Sequence, residues 1–264
     1  EDEHLTHSLT HSLTHSLTKT LATVLIAALV LVVAGSANAA LLLINFDEDT
    51  SYNSDGTNTW QTFDLSGSNN AFVPVSNATL ADTAGSAAAG YTMDISGSVS
   101  GDKTVSPNDG APASAFDTPA VGTLPDWFDS SSAEQRSTHG IRTHPSQENQ
   151  ILTYAFSGFE STDTVKFEFV LGRDSTGNRN IDLGMDTRED ILDNVETSSA
   201  VAIGVANVTG STSYSFTVQG DQSSLSWGSA ANAIGVTVTP IPEPASLALL
   251  GLGGLLIAGR RRRR

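Results

Sequence analysis

The sequence predicts an all-β protein, folded as a two-sheet sandwich or barrel, with a targeting segment at each end. Short segments in which apolar and polar residues alternate recur through the middle of the chain, and Gly, Ser, Thr, Asn and Asp separate them. Aromatic residues make up only 6% and charged residues only 16% of the 264 residues. No amphipathic helix longer than a turn or two is convincing, so the pattern favours strands joined by turns.

About ten short strands are predicted in the body. They are 41–46, 59–65, 91–95, 151–156, 165–171, 180–185, 201–208, 213–218, 224–227 and 233–239. The clearest is 165–171, where every second residue from Val165 is apolar. The turn-rich stretch 157–164 before it predicts either a hairpin or a corner at which the chain changes sheets. Residues 188–195 are compatible with a short helix.

A long insert, residues 97–148, interrupts the strand pattern. It is rich in Ser, Pro, Asp and Gly, and Trp127 and Phe128 stand out among its few apolar residues. Long inserts of this kind are functional or partly disordered. We expect Trp127 and Phe128 to pin the insert to the domain. The alternative is that Trp127 stacks against a ligand. Trp60 and Trp227 lie in strand-like patterns, where core packing is expected.

Charge is segregated along the chain. The net charge is −16, and residues 40–243 contain 26 acidic but only 7 basic residues. Such a body repels nucleic acid and anionic polymers, and solubility is the simplest reason for its charge. Calcium binding and salt tolerance are the alternatives. The absence of cysteine excludes disulfides, thiol catalysis and thiolate metal sites.

The N-terminal region predicts export. Residues 1–20 hold three His-Ser-Leu-Thr repeats followed by a basic residue, Lys19. His7, His11 and His15 would share a helix face that could bind a metal, but so regular a repeat is typical of a repeat expansion or a misplaced gene start. Residues 21–39 provide an apolar run and then Ala37-Asn38-Ala39, the small-x-small pattern read by signal peptidase. Cleavage after Ala39 would begin the mature domain, residues 40–239, at Ala40.

The C-terminal segment, residues 240–264, has three parts in order. These are Pro242-Glu243-Pro244, an apolar run from 245 to 259, and the five residues Arg260, Arg261, Arg262, Arg263 and Arg264. Fifteen apolar residues barely span a bilayer, and the arginines would stay on the cytoplasmic side. The prolines hold the junction extended, as suits a protease that reads the backbone. An ordinary single-pass anchor is the alternative.

This tail closely resembles the PEP-CTERM sorting signal of Gram-negative bacteria. The resemblance implies cleavage near Pro242-Glu243-Pro244 by an exosortase, after which the body is released or re-attached outside the inner membrane. It also implies a bacterium that produces exopolysaccharide and forms biofilms or flocs. The expected partners are therefore signal peptidase, an exosortase, the inner membrane before processing and, in the matrix, extracellular polysaccharide.

The body also resembles a jelly-roll family of exported proteins from planctomycetes and related bacteria. The resemblance rests on Leu43-Ile44-Asn45-Phe46-Asp47, on residues 154–159, on residues 169–180 and on residues 231–234. That family is similar to galactose-binding-like sandwiches, which implies a jelly-roll-like sandwich here. It carries over no ligand residues. The complete prediction is this sandwich flanked by an N-terminal signal helix and a C-terminal hydrophobic helix.

No motif of catalysis is recognisable in the body. There is no Gly-x-Ser-x-Gly elbow followed by a helix and no phosphate-binding loop. His139 and His144 lie in the insert, where solvent exposure is the expected role. A catalytic pair of carboxylates, as in glycosidases, stays an alternative because acidic residues are plentiful.

Two acidic clusters are candidates for calcium, which prefers hard oxygen ligands. The first, ranked higher because it follows the first strand, consists of Asp47, Glu48, Asp49 and Asp55. The second consists of Asp182, Asp186, Glu189, Asp190 and Asp193. Solvated surface is the expected state of both.

The sequence thus predicts an exported, exosortase-processed protein of the cell surface or extracellular matrix, with a non-catalytic structural or adhesive role. The alternatives are a carbohydrate-binding module for exopolysaccharide and, behind it, a polysaccharide hydrolase.

Overall fold

A computed structural model describes residues 39–46, 60–63, 73–83, 87–97, 116–129, 151–172, 180–185, 191–197, 200–220 and 230–241. Ala39–Pro240 form one compact unit. The predicted signal helix and C-terminal hydrophobic helix lie outside the described residues. Within the described ranges, no helix has the length and apolar character needed to cross a bilayer.

Eleven strands are present among these residues, arranged in two sheets. In chain order they are β1 (Ala40–Asn45), β2 (Gln61–Thr62), β3 (Val75–Ala81), β4 (Ala87–Gly97), β5 (Ile151–Ser157), β6 (Thr164–Gly172), β7 (Asn180–Met185), β8 (Leu192–Glu196), β9 (Ala202–Thr209), β10 (Ser213–Gly220) and β11 (Ala230–Thr239). One sheet has five strands in the order β2-β1-β11-β6-β9, and the other has six in the order β3-β4-β5-β10-β7-β8. The predicted all-β sandwich is confirmed.

The main core lies between the sheets and follows from strand alternation. In β5, Leu152, Tyr154 and Phe156 are fully buried and the residues between them are not. In β6, Phe167 and Phe169 point into the same core, where Phe167 lies 4.6 Å from Phe216 between ring centroids. Each buried aromatic removes a large apolar area from water, so this cluster dominates the packing of the sandwich.

A side-chain amide closes one edge of the sandwich. Gln61 of β2, an edge strand of the five-stranded sheet, donates from Nε2 to the carbonyl of Thr79 at 2.7 Å. Its Oε1 accepts from the backbone N–H of Ala81 at 3.1 Å. Both partners belong to β3, the edge strand of the other sheet. The amide therefore joins two edges that would otherwise present unpaired backbone groups.

The stretch 157–164 is a sheet-to-sheet corner and not a hairpin, because β5 and β6 lie in different sheets. Gly158 has φ +93°, and its N–H donates to the carbonyl of Thr212 at 3.1 Å. The buried Asp163 accepts from the N–H of Glu160 at 2.9 Å, which fixes the turn. Gly210, also at positive φ, donates to the carbonyl of Ser161.

Nine of the eleven described strands lie where the sequence predicts them, and the departures have physical reasons. The strand β3 was not predicted, because a bulge near Asn77, which has φ +50°, breaks its alternation and leaves Leu80 as its one fully buried residue. The predicted short helix at 188–195 is wrong over its described part: β8 pairs with β7, and Leu192 lies opposite Leu183. Pairing of β8 with β7 therefore outweighs the local sequence pattern that is compatible with a helix. The predicted strand 224–227, with Trp227, lies outside the described residues.

Tyr154 provides a test of the core. Its hydroxyl is fully buried and has no hydrogen-bond partner among the described residues. Removing an unsatisfied buried hydroxyl is expected to leave stability unchanged or to raise it by about 1 kcal/mol. We therefore expect Tyr154→Phe to unfold at the same or a higher urea concentration at neutral pH. A clear loss of stability would show that the hydroxyl has a partner.

The same side chain makes stability depend on alkaline pH. Burial raises the pKa of Tyr154 above its usual value of 10.0. Below the unfolded-state pKa, ionisation of this tyrosine does not affect the free energy of unfolding. As pH rises from there toward the higher folded-state pKa, only the unfolded chain ionises readily, so the free energy of unfolding falls. The stability of Tyr154→Phe should consequently fall less steeply above about pH 10 than that of the parent protein. Urea titrations on both sides of that pH measure the difference.

Candidate functional site

Among the described residues, the outward face of the five-stranded sheet carries a second cluster of buried apolar residues. Strand register places its side chains in three rows across β1, β11, β6 and β9. The rows are Asn45-Ala233-Val170-Ile203, Leu43-Gly235-Glu168-Val205 and Leu41-Thr237-Lys166-Asn207. The first row is mostly apolar, and the third ends in polar groups. An outward face with buried apolar residues must be covered.

The cover is part of the long insert. Residues 116–129, called the strap here, lie on this face, and Phe116, Trp127 and Phe128 are all buried there. At the β9 edge the strap makes a short parallel bridge between Val121 and Ala202. Trp127 meets Trp60, beside β2, edge to face at 5.6 Å between ring centroids. The strap therefore crosses the sheet from one edge strand to the other.

Two backbone hydrogen bonds and a ring stack hold the strap in register. The N–H of Ala120 donates to the carbonyl of Val201 at 2.8 Å, and the N–H of Ile203 donates to the carbonyl of Val121 at 2.9 Å. Within the strap, Phe116 stacks on Phe128 at 5.3 Å. Aromatic pairs of this geometry stabilise by roughly 0.5–1.5 kcal/mol beyond the area that they bury.

A buried carboxylate anchors the C-terminal part of the strap. Glu168 points outward from β6 and is only 6% exposed. Its Oε2 accepts a hydrogen bond from the Trp127 indole Nε1 at 2.9 Å, and its Oε1 forms an ion pair with the Lys166 Nζ. Hydrogen bonds to charged groups are worth about 1.5–3 kcal/mol, and the loss of either partner leaves a poorly solvated charge.

A glycine makes room for the indole. Gly235 of β11 lies directly opposite Glu168 in the ladder. A Cβ atom at position 235 would come within 2.3 Å of the Trp127 ring. The ring thus packs against the backbone of Gly235, in a notch formed by the absent side chain and the Glu168 carboxylate. Any larger residue at position 235 would displace the ring.

The outward face of the six-stranded sheet is of a different kind. Register aligns small hydroxyl-bearing side chains across its central strands, and no described residue of these rows is aromatic. The rows are Thr92-Ser157-Ser213, Asp94-Ala155-Ser215 and Ser96-Thr153-Thr217-Gly184. Thr92 and Ser157 hydrogen-bond to each other at 2.7 Å. Asp94 also accepts from the N–H of Asn77 at 2.6 Å. This face therefore presents mainly hydrogen-bonding groups.

Of the predicted site residues, the structure describes only a few. Trp127 is 7% exposed and packs as the predicted anchor of the insert, so a stacking role would require the ring to be uncovered. Ala39 is exposed and directly precedes β1. Ala37, the first acidic cluster (Asp47, Glu48, Asp49 and Asp55), and His139 and His144 lie outside the described residues, as do the sorting residues Pro242, Glu243, Pro244 and Arg260 to Arg264.

The calcium candidates stay predictions. Among the described ranges, no group of three or more acidic or histidine side chains is placed to hold a metal ion. In the second cluster, Asp182 faces outward on β7 and Asp193 is exposed on β8. Asp186, Glu189 and Asp190 are outside the described residues.

The two ends of the domain meet in one ladder. Ala40, the first residue after the predicted signal-peptidase site, pairs with Val238 near the end of β11. Only residues 240–244 separate the last strand from the apolar run of the tail. Both predicted processing steps therefore act within a few residues of the same pair of strands.

Comparison with known proteins identifies the tail. The sequence model of the PEP-CTERM protein-sorting motif matches residues 240–264. This confirms the predicted sorting signal and its bounds. No curated protein matches the chain.

Solved structures give only faint likenesses. One is a family GH115 4-O-methyl-alpha-glucuronidase with specificity for decorated arabinogalactans, at 18% identity and a TM-score of 0.24, covering 40% of this chain and 15% of that one. Another is the exo-beta-1,3-galactanase of Phanerochaete chrysosporium, at 12% identity and a TM-score of 0.23, covering 37% of this chain and 26% of that one. This chain spans about a quarter or less of either enzyme.

The motif assigns the chain to a class. It is an exported protein that passes through the membrane toward the cell surface and is processed by an exosortase, a membrane protease.

The residues of the strap site were missed by the sequence analysis, apart from Trp127 and Phe128. Glu168 looked like an ordinary solvent-facing residue of an alternating strand. The available signal was Val170, an apolar residue at an outward position of β6, together with the unbroken apolar run of β1. Both indicate a sheet that is covered on two faces.

Proposed function

We propose that the sandwich is a non-catalytic structural or adhesive domain at the outer surface, or in the extracellular matrix, of a Gram-negative bacterium. The sorting motif at residues 240–264 is the observation that carries this proposal, because it supports export of the body through the membrane toward the cell surface. The shape of the body supports a structural role. One outward face is covered by the strap, and the other presents rows of small hydroxyl side chains.

The test is to remove the delivery signal and, separately, the domain. In the native host, we expect the processed protein in the surface or matrix fraction, and loss of its gene should weaken cell cohesion or matrix integrity. A variant that ends at Thr239 keeps the sandwich but lacks the motif, and it should fail to restore cohesion. If this variant restores cohesion fully, delivery by the motif is not needed for the role.

A second candidate function is binding of a neutral polysaccharide through the six-stranded face. The hydroxyl rows and the Asp94 carboxylate favour it, since they offer donors and acceptors to sugar hydroxyls. Ser215→Lys, in the middle of this face, should abolish binding to the host's own exopolysaccharide in affinity electrophoresis. Asn207→Lys, which adds the same charge to the opposite sheet, is the matched control and should bind normally. Equal binding by both variants would rule out this face.

A further inference from the structure

The strap docks on one sheet but is attached to the other. Residues 98–115 connect it to β4 and residues 130–150 connect it to β5, and both strands belong to the six-stranded sheet. Its described contacts are with β6, β9 and β11 of the five-stranded sheet and with Trp60. Docking therefore does not depend on the local fold of the strands that carry the strap.

The connections are long enough to reach a second molecule. They contain 18 and 21 residues, which can span roughly 60 and 70 Å when extended. This exceeds the thickness of a sandwich, about 10 Å between its sheets. A neighbouring copy presents the identical notch at Gly235 and Glu168 and the identical β9 edge, so every described contact of the strap can form between chains without new chemistry.

We propose that neighbouring copies of this protein exchange straps, so that residues 116–129 of one chain occupy the outward face of the five-stranded sheet of another. The occupant of the site is thus the strap of a second copy, seated by the Trp127 indole in the notch. Exchange of an identical element between protomers is a low-cost route to association, since folded and exchanged states share the same contacts.

The protein concentration determines whether a strap docks on its own chain or on a neighbouring chain. A tethered strap meets its own notch at an effective concentration in the millimolar range, so a dilute chain keeps its strap. Accumulation on a surface or in a matrix raises the concentration of neighbouring notches toward that range. Strap exchange goes beyond the proposed structural role and is tested on purified protein, so either proposal can fail alone.

The decisive experiment uses one variant that lacks the notch and another that lacks the strap anchors, so that a strap can dock only on the other chain. In Gly235→Val the notch is filled, because even a Cβ there would overlap the Trp127 ring, and valine is a good strand residue. The triple variant Phe116→Ala, Trp127→Ala, Phe128→Ala keeps the notch but lacks the anchors of the strap. Each processed variant alone should sediment as a monomer, and their mixture should give a complex of twice the mass.

The control mixture shows whether the indole carries the association. Gly235→Val with the added change Trp127→Ala has neither notch nor indole, and it should form no complex with the triple variant. Absence of the first complex, with both variants folded by circular dichroism, would overturn the proposal. So would a complex that persists in the control mixture.

A measurement on the parent protein covers the case in which a variant does not fold. Unlabelled and ¹⁵N-labelled processed protein are mixed at about millimolar concentration, the range at which exchange competes with the tethered strap. Native mass spectrometry should then find dimers that contain one chain of each kind, and Gly235→Val should form none. Monomers alone in the parent mixture would contradict strap exchange.

Discussion

Phe167→Ala is expected to lower the free energy of unfolding by about 4 kcal/mol, within the 3–5 kcal/mol range typical of large aromatic truncations in a core. Phe167 is fully buried, and its ring centroid lies 5.0 Å from that of Phe156 and 4.6 Å from that of Phe216. It also meets Phe159 and Tyr214. A cavity at this point is lined by rigid rings that relax little. Against a typical total stability of 5–15 kcal/mol, the loss would be large.

The matched control is Phe63→Ala, the same truncation at a partly buried ring on the edge of the same core. Urea unfolding of both variants measures the comparison. The Phe63 variant should lose clearly less stability, because solvent already reaches its site. Equal losses would mean that the aromatic cluster is not the centre of the fold. Since Phe167 lies between Lys166 and Glu168, its loss should also loosen the strap.

Gly158→Ala is expected to cost roughly 3 kcal/mol, the sum of left-handed backbone strain and overpacking at about 1–3 kcal/mol each. A Cβ on Gly158 would lie 2.0 Å from the carbonyl oxygen of Gly90, and the backbone there cannot yield as a side chain would. The affected segment is the corner at which the chain passes from one sheet to the other. Thermal or urea unfolding gives the measurement.

Gly210→Ala separates the cost of left-handed backbone strain from the cost of overpacking. Gly210 has φ +89°, close to the +93° of Gly158, but nothing lies within 4 Å of a Cβ placed there. The free energy of unfolding of Gly210→Ala should therefore fall only by the cost of the left-handed backbone conformation, about 1–2 kcal/mol. If the two alanine variants are equally stable, the contact with Gly90 is not a constraint on the corner.

Much of the fold follows from alternation alone. The β7 bounds are predicted to the residue, and β1, β5, β6, β9 and β10 to within one or two residues, because a two-sheet core imposes the period of two directly. The corner after β5 needed tertiary information, since a turn-rich stretch serves a hairpin and a crossover equally well. The strand β8 is set by pairing with β7 and has no local signature of its own.

The strap illustrates a different limit. The sequence predicts that Trp127 and Phe128 anchor the insert, and both rings are buried in the structure. It does not reveal which face they cover, because the notch is formed by Gly235 and Glu168, more than thirty residues away in the chain. A glycine in a strand and a glutamate in an alternating pattern acquire their role only when register places them side by side.

The sorting tail is the part predicted most completely, because its meaning lies in the order of three local segments and not in a fold. The intact mass of the processed protein from the native host tests it most directly. We expect a mature species that begins at Ala40 and ends near Glu243, without the apolar run and the arginines. A mature species that still carries Arg260 to Arg264 would contradict processing at the motif.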